Sequence, residues 1–389
     1  MFHVMRLYLL CAGSARLADE MVAVTLVLLA LERTGSSTLS GLVVAAYTIP
    51  SVVSGPLLGA WLDRTTHPVA ALAGNQFALA ASTLGMALLP GTPALTALAF
   101  LAGLALPLTS GGFTSLIPRL TTDLSRSTSN DALLFNAAAI AGPALAGVLA
   151  ATSGPVTAVL VITALALAGG LCTLCLRVPP HPPAAHPPLL VALRQGVRHL
   201  AVTPPLRGTT IASVLGYGAV GLLATALPAR LTELDGTPAR LGLLLAVLEL
   251  GCVVGLLVLR GWLNRRRPEH VMLTALLLYG AALATWPLAT TTWALMALVA
   301  LTGLVDAPIL PATINARQRY TPPTLLGQLS TTGASLKIGA YALGAAAGGT
   351  LLSSFPPSGV IWLAAAGQVL AATVGAAATT NRKPLRVTP

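Results

Sequence analysis

Long, almost uninterrupted runs of apolar residues dominate the chain, and short polar stretches separate them. Most runs reach roughly 20 residues, the length that an α-helix needs to cross about 30 Å of hydrocarbon. Glycine and proline occur inside several runs, and membrane helices tolerate both. The pattern predicts an all-α membrane protein with twelve spanning helices, at 7–31, 39–62, 69–89, 93–117, 130–151, 155–177, 209–232, 239–262, 270–289, 292–313, 324–353 and 357–379.

The second half of the chain repeats features of the first at an offset of roughly 200 residues. Ala102-Gly103-Leu104 is matched by Thr302-Gly303-Leu304, and Trp61-Leu62-Asp63-Arg64 is matched by Trp262-Leu263-Asn264-Arg265. A duplicated bundle of membrane helices with a binding site between its copies is typical of secondary transporters. The repeat therefore predicts two pseudo-symmetric six-helix bundles and a transport function.

The repeat divides the chain into two halves, 1–178 and 209–389, and a linker, 179–208. His181 and His186 lie in a proline-rich part of the linker without a carboxylate or thiol nearby, which favours a solvated linker over a metal site. The end of the linker has apolar residues on one helical stripe and arginines off it. This pattern predicts a short amphipathic helix on the membrane surface.

Composition supports a membrane protein, because 55% of the residues are hydrophobic and only 8% are charged. A soluble domain carries roughly 25% charged residues. The formal net charge is +11, and Lys and Arg concentrate in alternate loops, leaving only Arg33, Arg230 and Arg240 in the others. The positive-inside rule then predicts a multi-pass protein of the cell membrane with both termini in the cytoplasm. The basic loops are expected to contact the lipid bilayer rather than nucleic acid.

Two motifs carry a family resemblance. Gly59-Ala60-Trp61-Leu62-Asp63-Arg64, after the second span, is similar to the G-x-x-x-D-R loop signature of the major facilitator superfamily. Gly142-Pro143-Ala144-Leu145-Ala146-Gly147, in the fifth span, is similar to the G-P-x-x-G-G element of exporters that work as antiporters. The whole chain resembles this superfamily, and bacterial drug and siderophore exporters in particular. The fourth span lacks the arginine found in many proton-coupled drug antiporters.

The resemblance implies a monomeric transporter that exports a small, partly hydrophobic organic compound by rocking of its two halves, with protons as the coupling ion. It implies no cofactor and no metal. Two other functions stay open: a proton-coupled importer of a metabolite, and a transport-inactive membrane sensor. An enzyme is disfavoured, because all six histidines lie outside the predicted spans and no catalytic set can be assembled from the remaining residues.

The motifs also have a physical interpretation. Asp63 and Arg64 can contact a neighbouring helix end and so latch one of two alternating-access states, or they can simply cap a helix end. Gly142 and Gly147 would let another helix approach closely, while Pro143 would kink its own helix. Ordinary packing of small residues is the alternative for this element.

Ionisable residues inside membrane spans are costly and therefore mark candidate sites. Asp19 and Asp306 are the leading candidates for binding substrate or protons, because the resemblance implies that the first and tenth helices line the central cavity. Two alternatives remain, an Arg16–Asp19 pair and an Asp306–Lys337 pair. The full candidate set is Asp19, Glu20, Glu249, Asp306 and Lys337.

The four cysteines, Cys11, Cys172, Cys175 and Cys252, all lie in predicted spans. Cys172 and Cys175 form a C-x-x-C motif inside an apolar helix without partner histidines. This context is more typical of small packing residues than of a redox or metal site.

Overall fold

The structure, a computed structural model, describes residues 2–35, 37–121, 123–179, 188–235, 240–263 and 265–380. Throughout these ranges the regular elements are helices. Three short turns interrupt them: a π-helical turn at Leu108–Gly112 and 3-10 turns at Trp286–Leu288 and Pro323–Leu325. The helices are α1 (Phe2–Thr34), α2 (Ser37–Leu62), α3 (Pro68–Leu88), α4 (Thr92–Pro107), α5 (Phe113–Ser115), α6 (Ile117–Leu120), α7 (Leu124–Ser153), α8 (Pro155–Leu174), α9 (Leu189–Val202), α10 (Pro204–Asp235), α11 (Leu241–Leu263), α12 (Pro268–Leu283), α13 (Thr292–Asp306), α14 (Ile309–Tyr320), α15 (Leu326–Leu351) and α16 (Pro357–Thr380).

The predicted all-α membrane fold is confirmed, and each of the twelve predicted spans coincides with a helix or with consecutive helices. Within the described part of the chain, nine helical stretches are long and apolar enough to cross a membrane, and α11 contains a shorter apolar stretch, Leu243–Leu259. α1 carries Arg16, Asp19 and Glu20 close together, which lowers its apolar character. The count of twelve spans is thus supported in part by composition and in part by helix positions.

Glycine and proline define sharp helix boundaries. Gly154 adopts φ 87° between α7 and α8, a left-handed conformation that only glycine adopts readily. Pro155 follows at the first position of α8, where its fixed φ suits a helix and its missing N–H leaves no bond unmade. The two residues together end one spanning helix and begin the next with almost no loop.

The described chain forms two compact units. The first contains residues 1–193 and 322–339, and the second contains 194–321 and 340–389. α15 therefore begins in the first unit, although it belongs to the second half of the sequence. The domain boundaries drawn from the sequence repeat stay a prediction.

The two units contain matching helix pairs. In the first, α1 packs against α7 and α8, and α2 packs against α4. In the second, α10 packs against α16, and α11 packs against α13. Gly103 of α4 lies against the carbonyl oxygen of Tyr47, and Gly303 of α13 lies against that of Leu248, so a side chain at either glycine would collide with backbone. The sequence repeat thus corresponds to a repeated close contact between backbones.

The end of the linker forms α9, as predicted. Ala192 and Gly196 are buried, whereas Leu190 and Val197 are exposed. The small residues therefore make the protein contact, and Val197 of the predicted apolar stripe lies on the side that faces away from the protein. The membrane-surface position of α9 stays a prediction. His181, His186, Asn264 and the C-terminal residues 381–389 lie outside the described residues.

Candidate functional site

A buried ion pair joins α1 to α7 in the first unit. The Arg16 Nη1 atom lies 2.8 Å from Asp131 Oδ1, and Arg16 Nη2 donates to Asp131 Oδ2 at 3.1 Å. Both side chains are almost fully buried, at 2% and 1% exposure. The two-pronged contact matches the planar guanidinium to the carboxylate, the geometry of the stronger charge-assisted pairs.

Neighbouring groups add further hydrogen bonds to this pair, although the buried Arg16 Nε atom has no hydrogen-bond partner. Thr114 donates to Asp131 Oδ2 and accepts from Arg16 Nη2, both at 2.9 Å. The Tyr8 hydroxyl donates to Asp131 Oδ1 at 2.8 Å, and the Arg16 guanidinium lies 5.0 Å from the centre of the Phe135 ring. Removal of one partner from such a buried pair leaves an uncompensated charge inside the protein, which is strongly destabilising.

The alternative in which Arg16 neutralises Asp19 is wrong, because Arg16 pairs with Asp131, 115 residues away. Asp131 was not among the candidate residues. It follows the polar run Ser127-Thr128-Ser129-Asn130, which resembles a solvated helix start, although Asp131 is itself completely buried.

Asp19 has a neutral partner instead. The Tyr47 hydroxyl of α2 donates to Asp19 Oδ1 at 2.7 Å. Tyr47 is 3% exposed, and Asp19 is half-buried. Close contact of Gly103 with the backbone of Tyr47 fixes α2 against α4 at this level and thereby positions the tyrosine ring. The arrangement is a carboxyl group held by a phenol within the membrane-spanning helices.

Glu20 lies against the exporter-like element of α7. A Cβ atom built at Gly142 would lie 2.5 Å from Glu20 Cβ and 3.0 Å from Glu20 C. The close approach predicted for Gly142 therefore occurs, and it joins the motif to a candidate acid. The same prediction is wrong for Gly147, where an added Cβ would meet no atom within 4 Å. α7 continues as one helix through Pro143.

Asp63 caps the beginning of α15. Its Oδ1 atom accepts from the Gly327 backbone N–H at 2.6 Å, and its Oδ2 atom accepts from the Gln328 N–H at 2.7 Å. These N–H groups belong to the first turn of α15, where intrahelical acceptors are lacking and the helix dipole attracts negative charge. The predicted contact of Asp63 with a neighbouring helix end is thus present. In the described part of the chain, the Arg64 side chain makes no hydrogen bond or ion pair.

Burial raises the pKa of Asp63 from 3.8 to about 7, although the N–H groups of Gln328 and Gly327 and the nearby Arg119 guanidinium lower it. Burial lowers the pKa of Arg119, because it disfavours the charged guanidinium, whereas the nearby Asp63 carboxylate raises that pKa. Asp63 is only 7% exposed, so loss of hydration outweighs the favourable contacts. The contact with α15 is therefore sensitive to pH near neutrality.

A row of hydroxyl groups extends the contact between α2 and α15. Thr331 donates to the Gly55 carbonyl at 2.6 Å, and Ser335 donates to the Ser51 carbonyl at 2.6 Å. Gly59 allows the approach, because a Cβ at this position would lie 2.6 Å from the Gln328 Cα atom. The four-residue spacing on both helices is the spacing of one helix face.

In the second unit, Asp306 at the end of α13 accepts a weak hydrogen bond from the Cys252 thiol of α11, with 3.5 Å between Sγ and Oδ2. α11 and α13 cross closely here, because a Cβ at Gly303 would lie 2.9 Å from the Cys252 backbone nitrogen. Glu249 lies three residues before Cys252 on the same helix and is half-buried. The geometry brings two predicted acids to the neighbourhood of one thiol.

Lys337 is half-buried on α15. It belongs to the first unit and Asp306 to the second, and the ion pair between them stays a prediction. Among the residues that the structure describes, no group of three or more His, Cys, Asp or Glu side chains could hold a metal ion.

The fourth span contains a π-helical turn, Leu108–Gly112, that the sequence did not reveal. Thr109 in this turn accepts hydrogen bonds from Asn75 and Gln76 of α3, both at 3.1 Å. π-helical turns widen a helix locally and occur frequently at functional sites. The signal that could have indicated it is the pair Asn75-Gln76, two amides inside an apolar span.

Comparisons with known proteins agree with this architecture. The profile of the Major Facilitator Superfamily matches residues 8–215 and 209–389. The "Uncharacterized MFS-type transporter y4rN" of Sinorhizobium fredii is 30% identical over 94% of this chain and 92% of its own length. The "Multidrug efflux pump Tap" of Mycolicibacterium fortuitum is 26% identical over 89% and 88%.

The crystal structure of the human organic anion transporter MFSD10 (TETRAN) superimposes with a TM-score of 0.79 at 16% identity, covering 96% of this chain and 98% of that one. At this identity the likeness describes the fold alone. The sequence profile, by contrast, covers nearly every residue of both halves. The chain therefore belongs to the Major Facilitator Superfamily and is a membrane transporter rather than an enzyme.

Proposed function

We propose that the chain is a proton-coupled efflux transporter that exports a small, partly hydrophobic organic compound by alternating access. The observation that carries the proposal is the pairing of Arg16 with Asp131. This ion pair engages the arginine of α1 and leaves Asp19 beside a neutral donor, the Tyr47 hydroxyl. An acid in that setting is suited to accept and release a proton.

The surroundings of Asp19 give the physical reason. In the part of the chain that the structure describes, no cation lies within 4.0 Å of its carboxylate oxygens. A charged side chain at the centre of a membrane helix costs about 3 kcal/mol on insertion scales. Protonation removes that cost, and so does binding of a cationic group of the substrate. Competition between these two events at Asp19 would couple the proton gradient to export.

Asp306 is proposed as the second acid, because it too has a neutral donor, the Cys252 thiol. The two helices that carry Asp19 and Asp306 are not equivalent in the repeat. Offsetting Asp19 by 201 residues leads to Val220, so the second unit has no acid at that position. We therefore propose that Asp19 and Asp306 have different roles in the transport cycle, and that neither is the repeat-related copy of the other.

Asp63 is proposed as the latch for one state of the cycle. Its carboxylate accepts two N–H groups at the start of α15, and the Thr331 and Ser335 hydroxyls continue the contact along α2. In the opposite state these bonds would break and the freed groups would be hydrated. Such an exchange lets two packings differ by only a few kcal/mol, which a transport cycle requires.

Export rather than import is supported by two observations. A relative that is 26% identical over most of the chain has a printed name that describes multidrug efflux. The Gly142-Pro143 element resembles that of antiporting exporters, and its glycine lies directly on Glu20. The substrate class follows from the resemblance to drug exporters and from the acids at the candidate site.

Flux measurements in everted membrane vesicles test the proposal. A growth screen of a pump-deficient host on toxic organic compounds first identifies a substrate, which is then labelled. With the vesicle interior acidified, an exporter accumulates the compound inside, and a protonophore abolishes the accumulation. An importer driven by protons would instead expel preloaded compound from the same vesicles. Binding of the compound without flux in either direction would support a sensor and contradict the proposal.

A further inference from the structure

Cys11 of α1 and Cys172 of α8 meet across a helix contact inside the first unit. Their Sγ atoms lie 2.8 Å apart, and both residues are free thiols. This separation is shorter than the roughly 3.5–4.0 Å at which non-bonded carbon atoms pack. A disulfide bond is about 2.05 Å long. The two sulfur atoms are therefore only about 0.8 Å farther apart than in a disulfide bond.

The packing of α1 on α8 explains why the thiols meet. Ser14 lies one turn after Cys11, and Gly169 lies one turn before Cys172, so the two helices run in opposite directions in register. A Cβ at Gly169 would lie 2.9 Å from Ser14 Oγ and 3.4 Å from the Ala15 backbone nitrogen. Glycine at this position lets the backbones approach closely. The next contact along the same register is the pair of cysteines.

We propose that Cys11 and Cys172 form an oxidisable dithiol, which hydrogen peroxide converts to a disulfide bond between α1 and α8. Of these two thiols, Cys172 is the one that peroxide reaches first, because it is half-buried near the end of α8 whereas Cys11 is completely buried. Its sulfur attacks one peroxide oxygen, the O–O bond breaks, and the products are a sulfenic acid and one water molecule.

The second step uses the neighbouring thiol. The Cys11 sulfur attacks the Cys172 sulfur, the S–O bond breaks, and the hydroxyl leaves with the Cys11 proton as a second water molecule. Two thiols and one peroxide thus give one disulfide and two water molecules, and two electrons pass to the peroxide. Cys11 is completely buried, so the sulfenic acid is captured by a partner that is already in contact.

The other two cysteines have different surroundings. Cys175 is exposed, and its thiol is directed to the Leu171 carbonyl at 3.7 Å. Cys252 belongs to the second unit, next to Asp306. The C-x-x-C motif is therefore split, with Cys172 facing Cys11 and Cys175 facing outward. The new bond would lock α1, which carries Arg16 and Asp19, onto α8.

Mass spectrometry of the purified full-length protein in lipid nanodiscs tests the proposal. The protein is treated with hydrogen peroxide, denatured, and labelled with N-ethylmaleimide. We expect the four cysteines to take up four labels before treatment and two labels after it. Trypsin should release a linked pair of peptides, 7–16 with 127–177, which the reductant TCEP separates.

Two variants make the assignment specific. In Cys175→Ala the same linked peptides should form in the same yield, because Cys175 takes no part. In Cys11→Ser the linked peptides should be absent. After peroxide treatment, TCEP should return Cys172 to the thiol, which N-ethylmaleimide then labels. Retention of four labels, or a bond between Cys172 and Cys175 within one peptide, would overturn the proposal. Size-exclusion chromatography of both variants verifies that they are folded.

Discussion

Gly142 of α7 packs directly on Glu20 of α1, because a Cβ atom at Gly142 would lie 2.5 Å from Glu20 Cβ. The glycine of an exporter-like motif thus sets the distance of one helix from a candidate acid. In the second unit, Gly344 of α15 lies against Gly221 of α10 at the equivalent crossing. The close contact is kept in both units, but only the first unit has a carboxylate there.

The first prediction concerns this glycine. Gly142→Ala should displace Glu20 and α1, since the added methyl group has no space, and overpacking of this kind costs about 1–3 kcal/mol. We expect a lower melting temperature and a transport rate reduced at least about tenfold. Gly147→Ala is the matched control, because its methyl group would meet no atom within 4 Å. Equal transport rates for the two variants would contradict the assigned role of Gly142.

The second prediction concerns the buried ion pair. Asp131→Asn leaves the Arg16 charge buried without its carboxylate, and breaking such a pair typically costs about 3–5 kcal/mol. We expect a large drop in thermal stability, measured by differential scanning fluorimetry in detergent. Glu233→Gln is the control, because the Arg230–Glu233 pair is partly exposed and such pairs contribute at most about 1 kcal/mol. A small effect of Asp131→Asn would show that Arg16 finds another partner.

The third prediction concerns pH. The pKa of Asp63 is about 7 in the folded state and 3.8 when the group is free, so between these values the folded state binds more protons. Stability contributed by this site is therefore present at pH 4, falls as the pH rises, and levels off above pH 7. Melting temperatures from pH 5 to pH 8 measure this slope. In Asp63→Asn the slope should decrease, and an unchanged slope would exclude Asp63 as its source.

The fourth prediction concerns the proposed coupling acids. Asp19→Asn and Asp306→Asn keep the shape of each side chain but cannot exchange a proton near neutral pH. We expect both to abolish accumulation of substrate driven by a proton gradient. Exchange of labelled for unlabelled substrate, which needs no net proton transfer, should also fall in Asp19→Asn, because the same carboxylate is proposed to bind the cationic group of the substrate. Full gradient-driven flux in both variants would contradict the proposal, and their monodispersity on size-exclusion chromatography controls for folding.

The sequence pattern was sufficient for the fold, because apolar run lengths determine where membrane helices lie. It also identified Gly103 and Gly303 as equivalent, and both contact a backbone carbonyl in the structure. Pairings between distant helices could not be read in the same way. Arg16 had a nearby acid in sequence, Asp19, and a distant one in space, Asp131, and only the packing of α1 on α7 selects the second.

The sequence predicted the acidic residues of the candidate site but not the residues that donate hydrogen bonds to them. Tyr47 and Cys252 have no charge and lie in apolar runs, so nothing in the pattern distinguishes them from packing residues. The π-helical turn at Leu108–Gly112 could not be predicted either, because it depends on which backbone hydrogen bonds form locally, and hydrophobic periodicity does not reveal these. Contact of Asp63 with a helix end was expected, yet the helix, 264 residues away, was not identifiable.

The last prediction concerns the contact of α2 with α15. Gly59→Ala would place a methyl group 2.6 Å from the Gln328 Cα atom and so force α15 away from α2. Thr331→Val keeps the volume but removes the hydroxyl that donates to the Gly55 carbonyl. We expect both changes to destabilise the packing seen here, with Gly59→Ala the more severe, because backbone cannot yield as a side chain does.

The loss of packing can be measured with a pair of cysteines introduced at positions 51 and 335. The Ser335 hydroxyl oxygen lies 2.6 Å from the Ser51 carbonyl oxygen, so the two positions are in contact. In the otherwise unchanged protein, oxidation should cross-link the pair readily, because the packed state dominates. Gly59→Ala should lower the yield of cross-link most, and Thr331→Val should lower it less. Gly41→Ala is the control on the same helix, because its added methyl group meets nothing within 4 Å. Equal yields in all four proteins would mean that the hydroxyl row does not hold α15 on α2.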